Sequence, residues 1–300
     1  MKIILIGAPF FTEKLEKLLN EYDNNKYIFL DLSNSNIDKL MYLIKILSAD
    51  FIYFNSSYVC CSKAVSLALF FKKKIVFHWT GTDVTTAISR FNDNMHNNKY
   101  ISNVIHKSAA TWLIEELKGI GVDAGYLPDY VYEDFDKEIL VPDKFVVLTY
   151  VGKGREIFYG IDTIIDLAID FPDIEFRIAG ISEYNFRNIP LNINLLGWVD
   201  MKSEYENCVI YIRYPEHDGE PHSVKEALSY GKVVVYNRDY PFVEYVKNYD
   251  DILKVFSGVL HKFCNKNLAP NKEAIKYIEL NYSNKKIVAK FQKIFTTKNV

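Results

Sequence analysis

Short apolar runs alternate with stretches of helical spacing along this chain, and the alternation predicts an architecture before any single residue does. Residues 2–6 form an apolar run closed by Gly7-Ala8-Pro9, which reads as a first strand and its turn. Residues 11–22 place Leu15, Leu18 and Leu19 on one helical face. The rhythm continues with strands at 27–32, 50–55 and 74–78 and helices at 37–47 and 63–71. A polar loop is expected at 92–99, then a helix at 109–117, a glycine stop at Gly119-Ile120-Gly121, and a strand at 122–127. Strands followed regularly by helices predict a parallel sheet covered on both faces.

An acidic connector, 128–143, carries Asp129, Glu133, Asp134, Asp136 and Glu138 and puts a boundary near Val141-Pro142. The pattern then restarts. Strands are expected at 145–150, 175–179, 193–196, 209–212 and 233–235, with a helix at 161–171. After a turn at 237–241, residues 242–246 continue the rhythm, and two basic amphipathic helices, 272–280 and 285–294, close the chain. The expected fold class is α/β, with two Rossmann-like doubly wound domains over 1–141 and 142–300. At 300 residues the chain has room for both.

Composition narrows the field. Hydrophobic residues at 49% and charged residues at 25% suit a soluble globular protein. A formal net charge of −2 offers no basic face for a nucleic acid. Cys60, Cys61, Cys208 and Cys264 have neither metal-ligand nor disulfide-framework spacing, so reduced, inert thiols are expected. The first apolar run is too short for a signal peptide and no run reaches the ~18 residues of a membrane span, which points to the cytoplasm. Phe70-Phe71-Lys72-Lys73-Lys74 and the lysines of the last helix, Lys285, Lys286, Lys290 and Lys293, are candidate peripheral membrane contacts at the inner face of the membrane.

In doubly wound sheets ligands sit beyond the C-terminal ends of the strands, so the turns there carry the candidate chemistry. Gly7 opens one such turn, without the GxGxxG spacing of a dinucleotide site. His78 stands at the head of another, His78-Trp79-Thr80-Gly81-Thr82-Asp83, which either sets an imidazole, two hydroxyls and a carboxylate against a sugar, or has His78 hydrogen-bonding a carbonyl while Thr82 and Asp83 cap the next helix. The turn Gly152-Lys153-Gly154-Arg155 lets the backbone approach a diphosphate while two cations grip it. Gly197-Trp198 ends a further strand, with Trp198 expected in the core rather than stacked on a base.

The stretch 215–235 organises the rest. A loop bearing Glu216, Asp218, Glu220 and His222 runs into a helix expected to open at Ser223, with Glu226 completing a Ser-x-x-Glu capping box and Gly231 ending it. The free amides and positive dipole of that helix favour an anion, and the carboxylates accept sugar hydroxyls. A nucleotide sugar satisfies both.

Asp218-Gly219, Glu226-Ala227-Leu228, Gly231 and Val233-Val234-Val235, with seven residues between the two acids, resemble a segment of GT-B fold nucleotide-sugar glycosyltransferases, the family 4-like retaining group in particular. The resemblance covers the second half well and the first half by architecture. It implies two domains facing a cleft, the second binding the donor and a C-terminal helix bracing the first. It implies that Glu226 holds the ribose hydroxyls, that Lys153, Arg155 and the amides of Ser223 and Val224 stabilise the departing diphosphate, and that Gly197 borders the base. Asp218, Gly219 and His222 would meet the donor, and His78 would touch its sugar. It further implies a UDP- or GDP-type donor, a glycan or lipid-linked acceptor, and no metal or cofactor. Three positions depart from the pattern: Asp218 replaces a glutamate, Glu220-Pro221 replaces Phe-Gly, and Tyr159-Gly160 replaces Lys-Gly. An NDP-sugar epimerase using Glu216, Glu220 and His222, and a non-catalytic partner subunit, are the competing readings.

Overall fold

The computed structural model describes residues 1–130 and 139–296; Glu133, Asp134, Asp136 and Glu138 of the connector lie outside the described residues. Two compact units emerge. The first comprises Met1–Tyr130, Asp218–Glu220 and Tyr282–Val300, and the second Val131–His217 and Pro221–Asn281.

The first unit runs β1 (Lys2–Gly7), α1 (Pro9–Tyr22), β2 (Lys26–Phe29), α2 (Asn36–Lys45), β3 (Phe51–Asn55), α3 (Lys63–Phe70), β4 (Lys74–Trp79), α4 (Thr82–Asn92), α5 (Asn98–Ser102), β5 (Ile105–Ser108), α6 (Thr111–Lys118) and β6 (Ala124–Tyr126). Its six strands pair in parallel in the order β2-β1-β3-β4-β5-β6. All five residues of β3 are buried, as a central strand covered on both faces requires. Ser35 and Ser62 open α2 and α3 by accepting from the amides of Asp38 and Val65.

The second unit runs β7 (Val146–Tyr150), α7 (Ile161–Asp170), β8 (Glu175–Ala179), β9 (Ile193–Gly197), α8 (Met201–Asn207), β10 (Ile210–Arg213), α9 (His222–Ser229), β11 (Val233–Tyr236), β12 (Glu244–Tyr245), α10 (Tyr249–Cys264) and α11 (Lys272–Tyr282). Its parallel order is β12-β11-β10-β7-β8-β9. The core gathers Ile164, Ile165, Phe176, Ile178, Ile212, Val235 and Phe256.

In both sheets the chain leaves its first strand to one side and later returns to the other. The reversals fall between β1 and β3 and between β7 and β10. These are topological switch points, where the loops diverge and open a crevice.

The last helix, α12 (Asn284–Thr296), belongs to the first unit. It buries Ile287, Val288, Phe291, Ile294 and Phe295. Phe291 lies against Tyr53 and His78, and Phe295 against Tyr27 and Phe51. Its apolar face is therefore spent on packing, which removes α12 as a membrane-surface helix. Among the described residues no helix is long and apolar enough to cross a membrane.

Candidate functional site

The second unit's switch point is built from the two loops that leave the C-terminal ends of the adjacent central strands β7 and β10. β7 and β10 pair in register, Ile212 beside Thr149, and the Thr149 hydroxyl donates to the Ile212 carbonyl at 2.9 Å. The cationic turn after β7 and the loop after β10 then touch directly. The Glu216 amide donates to the Phe158 carbonyl at 2.9 Å. Gly160, the N-cap of α7, sits at φ 75°, and a Cβ there would lie 2.4 Å from the Tyr214 carbonyl oxygen. Glycine is demanded twice over, by conformation and by approach. We expect Gly160→Ala to cost about 2 kcal/mol through left-handed strain and displacement of this contact, read from a urea unfolding curve.

Within this turn Gly152 brings the backbone against the Tyr159 ring, 2.9 Å from where a Cβ would stand. Lys153 is exposed, with Nζ 3.8 Å from Glu183. The exposed Arg155 stacks its guanidinium on Phe158 at 3.9 Å. Beneath them lies a cation that the sequence pattern did not single out. Arg213 ends β10, is 7% exposed, and holds its guanidinium 4.7 Å from the Tyr159 ring. Burial raises the pKa of the neighbouring Tyr150 hydroxyl, and the positive Arg213 opposes that rise. Arg213 closes an otherwise apolar strand at a switch point, and this was the available signal.

The helix on the other side starts earlier than its capping-box pattern suggests. Pro221 is the N-cap of α9, at φ −71° and ψ 133°, and His222 is the first helical residue. Ser223 therefore lies within the first turn and does not cap. The amides of His222, Ser223 and Val224 form the helix N-terminus. Glu226 is released from the capping box as well. Its Oε2 accepts from the Tyr205 hydroxyl at 3.1 Å, and that hydroxyl also reaches the Ser223 carbonyl at 3.2 Å. Burial, reinforced by the Glu226 carboxylate, holds the Tyr205 pKa well above its ordinary value, so Tyr205 remains a donor. A buried tyrosine thus fixes one oxygen of a half-buried carboxylate. Gly231, at φ 61°, ends this segment as expected.

Gly197 closes β9 at φ 67°; its amide donates to Ile181 and its carbonyl accepts from Gly180. Trp198 beyond it is 76% exposed, which corrects the expectation that it packs in the core.

Gly7, His78, Asp218 and Gly219 belong to the first unit. A Cβ on Gly7 would lie 2.6 Å from both the Asn55 carbonyl and the Thr12 hydroxyl, so the β1 turn is tightly closed. Gly219 presses on the Thr80 carbonyl, where a Cβ would come within 1.8 Å, and Trp112 donates to the Asp218 carbonyl at 2.8 Å. Glu220 is buried and accepts from both Tyr126 and Tyr282 hydroxyls, at 2.8 and 2.7 Å.

His78 has no exposed surface. Its Nε2 is 2.7 Å from the Leu127 carbonyl, which can only accept, so Nε2 carries the proton and Nδ1 accepts from Tyr53 at 2.6 Å. With both nitrogens engaged inside the core, His78 does not present itself to a ligand, contrary to the expectation that it touches a donor sugar. Among the described residues no group of three or more His, Cys, Asp and Glu is placed to hold a metal ion.

No protein-family model and no curated protein matches the chain by sequence. Solved structures do match by fold. A glycosyltransferase from Rickettsia africae superposes with a TM-score of 0.70 at 12% identity, covering 98% of this chain and 97% of its own. A mutant of S. aureus TarM, in complex with Fondaparinux, alpha-GlcNAc-glycerol and UDP, gives a TM-score of 0.62 at 14% identity over 87% of this chain, which spans only 58% of TarM. The UDP-GlcNAc 2-epimerase of Neisseria meningitidis, bound to UDP-GlcNAc, scores lower at 0.55 with 13% identity, over 100% of both chains. The two parallel six-stranded sheets with flanking helices match the GT-B fold of the glycosyltransferases among these structures.

Proposed function

We propose that this chain is a glycosyltransferase that moves a sugar from a UDP- or GDP-type nucleotide sugar to a glycan or lipid-linked acceptor, with retention of configuration and without a metal. The observation that carries the reading is the convergence, at one switch point, of the cationic turn after β7 and the loop leading to the N-terminus of α9, joined by the Glu216–Phe158 hydrogen bond.

In this reading Lys153, Arg155 and Arg213 neutralise the diphosphate. The amides of Ser223 and Val224 meet the charge that builds on it as the glycosidic bond breaks. Fixed donors of this kind contribute about 3 kcal/mol each where charge develops. Arg213 supplies from below the charge that the Tyr159 substitution removes from the turn. Glu226, with Oε2 held by Tyr205, offers Oε1 to the ribose, and His222 and the backbone at Gly197 border the nucleotide. Asp218 and Gly219 are assigned to the donor sugar. His78 is assigned to the core.

The epimerase reading is the weaker one. It needs mobile acid and base groups, and Glu220 is buried with one oxygen accepting from two tyrosines. Incubation with UDP- and GDP-sugars distinguishes the readings. Release of nucleoside diphosphate supports transfer or its hydrolytic side reaction, an isomerised donor supports epimerisation, and neither product with any donor overturns the enzyme reading. A thermal-shift screen with UDP, GDP, ADP and CMP should single out the base, since a nucleotide at a hundred times its Kd stabilises the fold by about 2.7 kcal/mol.

A further inference from the structure

A helix that covers a sheet ordinarily turns polar residues outward. α2 turns apolar residues outward as well as inward. Ile37, Leu40, Leu43, Ile44 and Leu47, along the helix and the turn that continues it, are 75, 60, 54, 59 and 61% exposed. At 100° per residue, Ile37, Leu40, Ile44 and Leu47 fall within an arc of about 80°, opposite the buried Tyr42 and Ile46. Lys39 and Lys45 flank that stripe, each about 120° from its centre on either side.

The stripe continues into a second exposed apolar corner. Lys73 Nζ donates to the carbonyls of Leu47 and Ala49, at 2.9 and 3.0 Å, and ties the end of α2 to the turn after α3. There Phe70 is 76% exposed and Phe71 stacks edge-on against it. Lys72 and Lys74 are exposed beside them. Residues 36–50 and 63–74 together carry six lysines and two aspartates, Asp38 and Asp50. Asp38 accepts from the Asp31 amide and Asp50 from the Lys2 amide.

We propose that this face of the first unit docks on an anionic lipid bilayer, with the α2 stripe and Phe70 entering the interface and the lysines engaging headgroups. Long lysine stems can lie along an apolar surface while their charges stay in the polar layer, and each basic group near an anionic leaflet adds attraction. A second copy of the chain fits poorly. A two-fold contact would set this patch against itself and bring lysines face to face. The inference rests on α2 and the α3 turn, and it stands or falls independently of the sugar-transfer reading.

Co-sedimentation of the full chain with vesicles, without nucleotide sugar, tests it. Vesicles of phosphatidylcholine mixed with phosphatidylglycerol should pellet the protein, and phosphatidylcholine alone should not. Added salt should weaken the binding. A Leu40→Ser/Ile44→Ser variant and a Lys72→Glu/Lys74→Glu variant should each lose about tenfold in vesicle affinity. These four side chains are exposed, so the unfolding temperature should hold. Equal binding to both vesicle types, no binding to either, or unchanged binding by the serine variant would overturn the proposal. So would a concentration-dependent dimer that the serine variant abolishes while vesicle binding is absent.

Discussion

Glu226→Ala is expected to weaken nucleotide binding by about 3 kcal/mol, a hundredfold rise in Kd, while leaving the fold nearly as stable as before. The asymmetry follows from the geometry. Tyr205 keeps its contact to the Ser223 carbonyl when the carboxylate is removed, so the folded protein loses about one hydrogen bond, worth about 1 kcal/mol. The ligand would lose charge-assisted bonds from two ribose hydroxyls, each worth about 1.5–3 kcal/mol. Calorimetric titration with the nucleotide chosen by the thermal screen measures the first effect and urea unfolding the second. Glu226→Gln keeps an acceptor without the charge and should fall between the two. An unchanged Kd for Glu226→Ala would reduce Glu226 to an anchor for Tyr205.

How far the site could be read from sequence depends on what each residue signals locally. The glycine turns after β7 and at Gly231 are legible because only backbone demands explain them, and the parallel α/β alternation is legible in apolar runs separated by helices, while the order of the strands is not. The start of α9 is not legible locally, because Ser223 and Glu226 match a capping box by spacing while Pro221 already supplies the extended backbone of an N-cap. Arg213 carries little local signal of its place, since it ends an apolar strand and only pairing with β7 sets it under the cationic turn. β5 has a single aliphatic residue, Ile105. Its burial is carried instead by His106, which stacks on Trp79 and accepts from the indole at 3.1 Å, burial pushing the imidazole pKa down. α10, the longest helix among the described residues, is legible too: Asn248 caps it, and Ile252, Phe256 and Val259 recur at helical spacing.

The same limits apply to His78. A lone histidine at the end of a strand has the same spacing whether it faces solvent or core, and the element that decides the matter, α12, lies more than two hundred residues downstream. Tyr53 donates to Nδ1, Leu127 accepts from Nε2, and Phe291 closes the remaining side. Nothing local to residues 74–79 encodes this enclosure.

Phe291→Ala is accordingly expected to remove about 3–5 kcal/mol from the stability of the first unit, a large part of the roughly 5–15 kcal/mol that a domain possesses. The side chain is wholly buried, with ring centroids 5.6 Å from Tyr53 and 6.2 Å from His78, so its removal leaves a cavity against rigid neighbours rather than a surface that can close. Urea unfolding should show a lower midpoint with little change in slope, and Phe291→Leu, which refills much of the space, should lose markedly less. The nucleotide affinity of the second unit should survive in the folded fraction, because Phe291 belongs to the first unit alone. A loss below about 1 kcal/mol would mean that α12 rests on the first sheet without completing its core. The enclosure of His78 would then have to come from Tyr53 and Leu127 alone, and the imidazole would again be a candidate for contact with a sugar.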